Sequence, residues 1–134
     1  MKMETVMLVD DSAFDNFINQ KVIENEQLTD NILVYDNPFK ALSYLTNLSN
    51  SEHYFAESIP SVIFLDNVMP DMDGISFLKE FDRLPTSIKE YCKIVFLTSA
   101  PEMTDRDAIS KNVNVLGFLE KPLTRESLLK VSLV

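Results

Sequence analysis

Five short apolar runs, each ending in polar residues at its carboxyl side, limit this chain to few folds. They are Val6-Met7-Leu8-Val9, Ile32-Leu33-Val34-Tyr35, Val62-Ile63-Phe64-Leu65, Ile94-Val95-Phe96-Leu97 and Val115-Leu116-Gly117-Phe118-Leu119. Runs of four or five are strand length, and the unbroken apolarity of Val62-Ile63-Phe64-Leu65, bounded by turn residues, marks a strand buried on both faces. Between them, apolar residues recur at helical spacing. Strands alternating with helices predict an α/β protein with a parallel sheet covered on both sides.

The intervening stretches set out the helices. Ser12 caps the first, with Phe14, Phe17, Ile18 and Val22 as its inward stripe and Asp15, Asn16, Asn19 and Gln20 opposite. Asn37-Pro38 opens the second, whose stripe is Ala41, Leu42, Leu45 and Leu48. Ile75, Leu78, Phe81 and Leu84 mark a third that Pro85 stops. Residues 49–61 and 86–91 read as loops, with Tyr54-Phe55 docking back. A weaker fourth helix covers 104–112, with Thr104 as cap and Ala108, Ile109 and Val113 as its apolar residues. Thr124 caps the last, with Leu128, Leu129 and Leu133 inward.

The chain has 134 residues, which fits one domain spanning 1–134. No apolar run approaches the ~20 residues of a membrane span, and the first strand follows Met1 too closely for a signal peptide. Cys92 is the single cysteine, which excludes an internal disulfide and suits a reducing cytoplasm. Twelve Lys and Arg against 21 Asp and Glu give a net charge of −9, unsuited to direct contact with nucleic acid. His53, the single histidine, lies in a polar stretch, so two-histidine metal sites and Ser-His pairs lack members.

Chemistry emerges when the strand ends are overlaid. All carboxyl ends of a parallel sheet share one edge, so Asp10, Asp11, Asp66, Thr98 and Lys121 converge on one crevice. Two carboxylates 4 Å apart repel by roughly 4 kcal/mol at an effective dielectric of 20. Three require a counter-ion, and oxygen-only ligands select a hard cation such as Mg²⁺. Lys121 adds a fixed positive charge, and Thr98 a hydroxyl.

Leu8-Val9-Asp10-Asp11-Ser12, Leu65-Asp66-x-x-Met69-Pro70-x-Met72-x-Gly74, Leu97-Thr98-Ser99-Ala100 and Gly117-Phe118-Leu119-Glu120-Lys121-Pro122 stand in order at strand ends. Together they resemble the receiver domain of two-component response regulators, the family of the stand-alone chemotaxis regulator. The resemblance implies a flavodoxin-like (βα)5 doubly wound sheet of order 2-1-3-4-5. It implies that Asp66 is the phosphoacceptor, taking a phosphoryl group from a sensor histidine kinase or a histidine phosphotransfer protein. Mg²⁺ would be held by Asp11, Asp66 and the backbone carbonyl of Val68, with Asp10 acting through water. Lys121 and Thr98 would hold the phosphoryl oxygens, and Lys121-Pro122 would be cis. A shift of Thr98 and an inward turn of Phe118 would change the surface of the fourth helix, fifth strand and last helix, where a downstream effector docks.

Val68 and Ala100 stand where the family tunes water access to the phosphoryl group, and both are apolar, which predicts slow decay. The protein would be a signalling phosphoacceptor, not a turnover enzyme, and cytoplasmic; dimerisation on phosphorylation stays open. A haloacid-dehalogenase-like phosphatase is the alternative, but it wants a second acid at the position of Val68. A flavodoxin-like flavin binder lacks its phosphate loop here, and a phosphorylation-inert docking receiver would not need the complete residue set.

Overall fold

The computed structural model describes residues 3–50, 58–99 and 106–131. Its elements in chain order are β1 (Val6–Val9), α1 (Ala13–Asn25), β2 (Ile32–Tyr35), α2 (Pro38–Asn50), β3 (Val62–Asp66), α3 (Gly74–Asp82), α4 (Thr86–Lys89), β4 (Lys93–Thr98), α5 (Arg106–Ser110), β5 (Val115–Glu120) and α6 (Arg125–Lys130). All strand pairs are parallel, and the sheet order is β2-β1-β3-β4-β5. Every residue of β1 and β3 is buried, whereas β2 and β5, at the edges of the sheet, are only partly buried, with Val34 and Leu116 exposed.

Alternate strand residues face opposite layers. Met7, Val9, Ile63, Leu65, Ile94 and Phe96 pack on one side with Ala41 and Leu45 of α2, Phe77 and Phe81 of α3, and Ile88 of α4. Val6, Leu8, Val62, Phe64, Val95 and Leu97 pack on the other with Ile23 of α1 and Leu128 of α6. Between β4 and β5 the register slips: Ile94 pairs with Val115 but Val95 with Gly117. Leu116 is the extra residue of this bulge and is exposed.

Helix α1 departs from the expected facing at its first two turns, while Ile18 is partly buried and Val22 packs against the core as expected. Phe14 and Phe17 are 71% and 56% exposed, whereas Asn16, Asn19 and Ile23 are buried. Buried backbone groups at the strand ends need partners, and the two asparagines supply them. Asn16 Nδ2 donates to the carbonyls of Asp10 (2.9 Å) and Tyr35 (3.2 Å), stapling α1 to the ends of β1 and β2. Asn19 Oδ1 accepts from Leu123 N at 2.9 Å, which fixes the loop after β5. Replacing Asn19 with Ala strands a buried N–H, so a loss of about 1–3 kcal/mol is expected in urea unfolding. An unchanged midpoint would show that the bond carries no weight.

Smaller departures have local causes. Residues 86–91, expected as loop, contain the one-turn α4, anchored by buried Ile88. Leu129, expected inside, is half exposed, and only Leu128 of α6 is buried. In the fourth predicted helix Ile109 alone turns inward, while Ala108 and Val113 face out. α2 runs to Asn50, past the expected boundary at Ser49. His53, Tyr54, Phe55, Ala100, Thr104 and Leu133 lie outside the described residues.

Candidate functional site

In the order 2-1-3 the chain reverses direction across the sheet at β1, so a crevice opens at the carboxyl ends of β1 and β3. Asp66 is the last residue of β3, opposite Leu97. Asp10 directly follows β1 and is held by its own backbone: its N–H donates to the Tyr35 carbonyl (3.1 Å) and its carbonyl accepts from Asn16. Asp10 and Asp66 are buried, and Asp11 is exposed at the rim. One carboxylate oxygen from each of the three lies within 4.8 Å of the others.

Lys121 enters from the far side of the site. Its backbone N–H donates to the Thr98 carbonyl at 2.9 Å, and the Lys121-Pro122 peptide is cis, as the resemblance implied. Its ammonium stands 2.6 Å from Asp10 Oδ2, 3.0 Å from Asp15 Oδ2 and 3.3 Å from Asp66 Oδ1. The approach to Asp10 is an ion pair by distance whose angle misses ideal hydrogen-bond geometry. The ammonium thus points into the crevice, the placement on which the whole constellation depends.

Electrostatics follow from this crowding. Burial pushes the Asp66 carboxyl up to about 6, the Asp10 charge adds to the rise, and Lys121 offsets part of it. Burial works against the charged form of Lys121, but its close contacts with Asp10 and Asp15 and the charge of Asp66 outweigh it and hold the ammonium above the usual lysine range. Three carboxylates share one lysine and Asp11 adds a fourth beside Asp10 and Asp66, so negative charge remains in excess. An all-oxygen donor set with surplus charge fits a hard divalent cation, and Asp10, Asp11 and Asp66 are the residues that would hold it.

The remaining predicted residues divide. Thr98 is buried at the end of β4 and lines a cavity of ≈ 550 Å³ with Phe118 and Lys121. Phe118 is half-buried and stacks on Phe96, ring centroids 5.7 Å apart. Val68 is exposed, and its N–H approaches Asp66 Oδ1 at 3.5 Å. α3 begins close beneath the site: a Cβ on Gly74 would collide with the Phe96 ring and the Asn67 side chain, which explains the glycine after Asp73, the α3 N-cap.

Two contributors escaped the sequence. Asp15 belongs to the polar outer side of the first predicted helix, yet its carboxylate reaches Lys121. Arg106 lies 4.7 Å above the Phe118 ring, on which it makes a cation–π contact. For Asp15 a signal existed: Ser12-x-x-Asp15 has capping-box spacing, which flags the acid as a residue with a job.

A parallel α/β sheet with an acid cluster and a lysine at its switch point defines a phosphoryl- or metal-handling domain. The family model for the response regulator receiver domain matches residues 6–132, and the chain belongs to that family. No curated protein matches it. Among solved structures it is similar to a two-component response regulator from Cytophaga hutchinsonii (24% identity, 98% of this chain and 95% of that one, TM-score 0.83). It is also similar to the chemotaxis response regulator CheY4 of Vibrio cholerae (24%, 96% and 95%, 0.69). A third is a chain of the CheX-CheY-BeF3-Mg²⁺ complex from Borrelia burgdorferi (20%, 95% and 84%, 0.67). The fold is the flavodoxin-like one that the motifs implied, and the chain is a receiver domain of two-component signalling. Among the described residues no helix is long and apolar enough to cross a membrane.

Proposed function

We propose that Asp66 accepts a phosphoryl group from a phosphohistidine on a sensor histidine kinase or histidine phosphotransfer protein, or from a small acyl phosphate. The observation that carries this assignment is the Lys121 ammonium 3.3 Å from Asp66 Oδ1, in a crevice where three carboxylates converge. An Asp66 oxygen attacks phosphorus in line with the donor. The bond from phosphorus to the donor breaks, and its electron pair leaves with the imidazole or carboxylate. Lys121 accompanies the charge shifting onto the phosphoryl oxygens, and Thr98 donates its hydroxyl to one of them. When bound by Asp11, Asp66 and the Val68 carbonyl, with Asp10 acting through water, Mg²⁺ supplies neutralisation of the same charge. The Borrelia complex, which holds Mg²⁺ and beryllofluoride, supports this ligand chemistry.

The domain spans 1–134 and is a phosphoacceptor rather than a turnover enzyme. It acts in the cytoplasm. Phosphorylation adds roughly −1.5 to −2 charge, draws Thr98 toward the site and resets Phe118. Seating one phenyl ring is worth about 1.5–3 kcal/mol, enough to bias two states. The surface that changes is α5-β5-α6, because α4 adds one helix to the count expected from sequence, and an effector reads it there.

After incubation with acetyl phosphate and Mg²⁺, intact mass should show one phosphoryl adduct. Once the donor is removed the adduct should persist, because neither Val68, exposed at the crevice mouth, nor Ala100 can orient a water. Turnover of donor without an adduct would favour the phosphatase alternative, and rapid loss would remove the case for slow decay.

A further inference from the structure

The N-terminus of α1 is capped in an unusual way. In an ordinary capping box the acid three residues after the cap reaches back to the cap residue's own N–H. Half of that motif is present, since Asp15 N donates to Ser12 Oγ at 3.1 Å. The reciprocal half is taken by another residue: Ser12 N donates to Asp10 Oδ1 at 2.9 Å. The Asp15 carboxylate is therefore released from capping and lies 3.0 Å from the Lys121 ammonium, 106 positions away in sequence.

An ammonium has three donors. At rest Lys121 hydrogen-bonds Asp15 and lies within ion-pair distance of Asp10 and Asp66, so a phosphoryl oxygen competes with these contacts for the ammonium. Asp66 is itself the group that reacts. Asp10, with 1% of its side chain exposed, would be left as an uncompensated buried charge. Asp15 is 35% exposed, and water can replace the lysine there.

We propose that Asp15 is a positioning residue that restrains Lys121, holding one of its N–H groups on the α1 side until an incoming phosphoryl group displaces it. Asp15 also adds a negative charge at the entrance, which opposes an anionic donor. It thus sets how readily the site accepts phosphate rather than whether it can. This role rests on Asp66 being the acceptor, and deepens that assignment.

The test measures the initial rate of adduct formation from acetyl phosphate with saturating Mg²⁺ for wild type, Asp15→Asn and Asp15→Glu. Beside it, the affinity of each chain for beryllofluoride with Mg²⁺ is read by fluorine NMR. Loss of the charge in Asp15→Asn should raise the rate and tighten beryllofluoride binding, each on the order of tenfold, and Asp15→Glu should return both toward wild type. A mere helix cap or scaffold role would leave beryllofluoride affinity unchanged or lower it together with thermal stability. An Asp15→Asn rate equal to or below wild type overturns the proposal while Asp66 stands. If wild type itself gains no adduct, the acceptor assignment fails and the restraint fails with it.

Discussion

Asp66→Asn is expected to gain no phosphoryl adduct under any acetyl phosphate exposure that labels wild type, and in metal-free buffer at neutral pH to melt at a higher temperature. The first outcome follows from chemistry: a carboxamide oxygen is not the nucleophile that an ionised carboxylate is. The second follows from the site's excess charge. Asp66 has a folded value of about 6 against an ordinary 3.8, chiefly because it is buried and faces Asp10. A raised folded value means that the associated stability is complete below about 3.8 and is lost as pH rises through about 6. At neutral pH the ionised group therefore costs up to about 3 kcal/mol, and screening by water in an open crevice reduces this to about 1–2 kcal/mol. Asparagine keeps the shape and removes the charge, so several degrees of Tm are expected. An Asp66→Asn chain that is labelled, or that melts below wild type, would contradict the assignment and the electrostatics respectively.

The second large effect is a pH-dependent response to Mg²⁺. Metal-free wild type should lose stability relative to Asp66→Asn as pH rises through about 6. Adding Mg²⁺ should reverse that loss, because a cation binds ionised carboxylates and protons compete with it. At a hundredfold excess over Kd the gain is about 2.7 kcal/mol, and it should shrink toward acid pH. The comparison with Asp66→Asn is needed because Asp73 pulls the other way. Its carboxylate is held below the usual range first by the Ser76 backbone N–H, and its contribution is lost as pH falls. Thermal melts at several pH values with and without Mg²⁺ check this, and an Mg²⁺ gain equal at acid and neutral pH would refute it.

Strands were legible in the sequence because short apolar runs rich in β-branched and aromatic residues alternate with helical spacing, although the edge strands β2 and β5 are only partly buried. The crevice was legible because parallel strands bring their carboxyl ends together, so position in the chain converts directly into position in space. The facing of the first turns of α1 was not, since hydrophobic spacing assumes that polar side chains seek water. Asn16 and Asn19 instead serve backbone groups of distant segments, and those partners are visible only once the chain is folded. One-turn α4 has too few residues to display a period. Asp15 was misplaced for the same reason as the asparagines: its partner, Lys121, comes from the opposite end of the chain.

The bulge at Leu116 decides which layer of the molecule feels the far end of β5. With the extra residue, Phe118 comes level with Phe96 and Glu120 with Thr98. Were Leu116 paired with Val95 in regular register instead of bulged, Phe118 would stand beside Leu97, and its ring would project toward the layer of α1 and α6. Setting one leucine aside therefore wires the aromatic to the α5 half of the domain and keeps it away from the α1 half, where Lys121 meets Asp15.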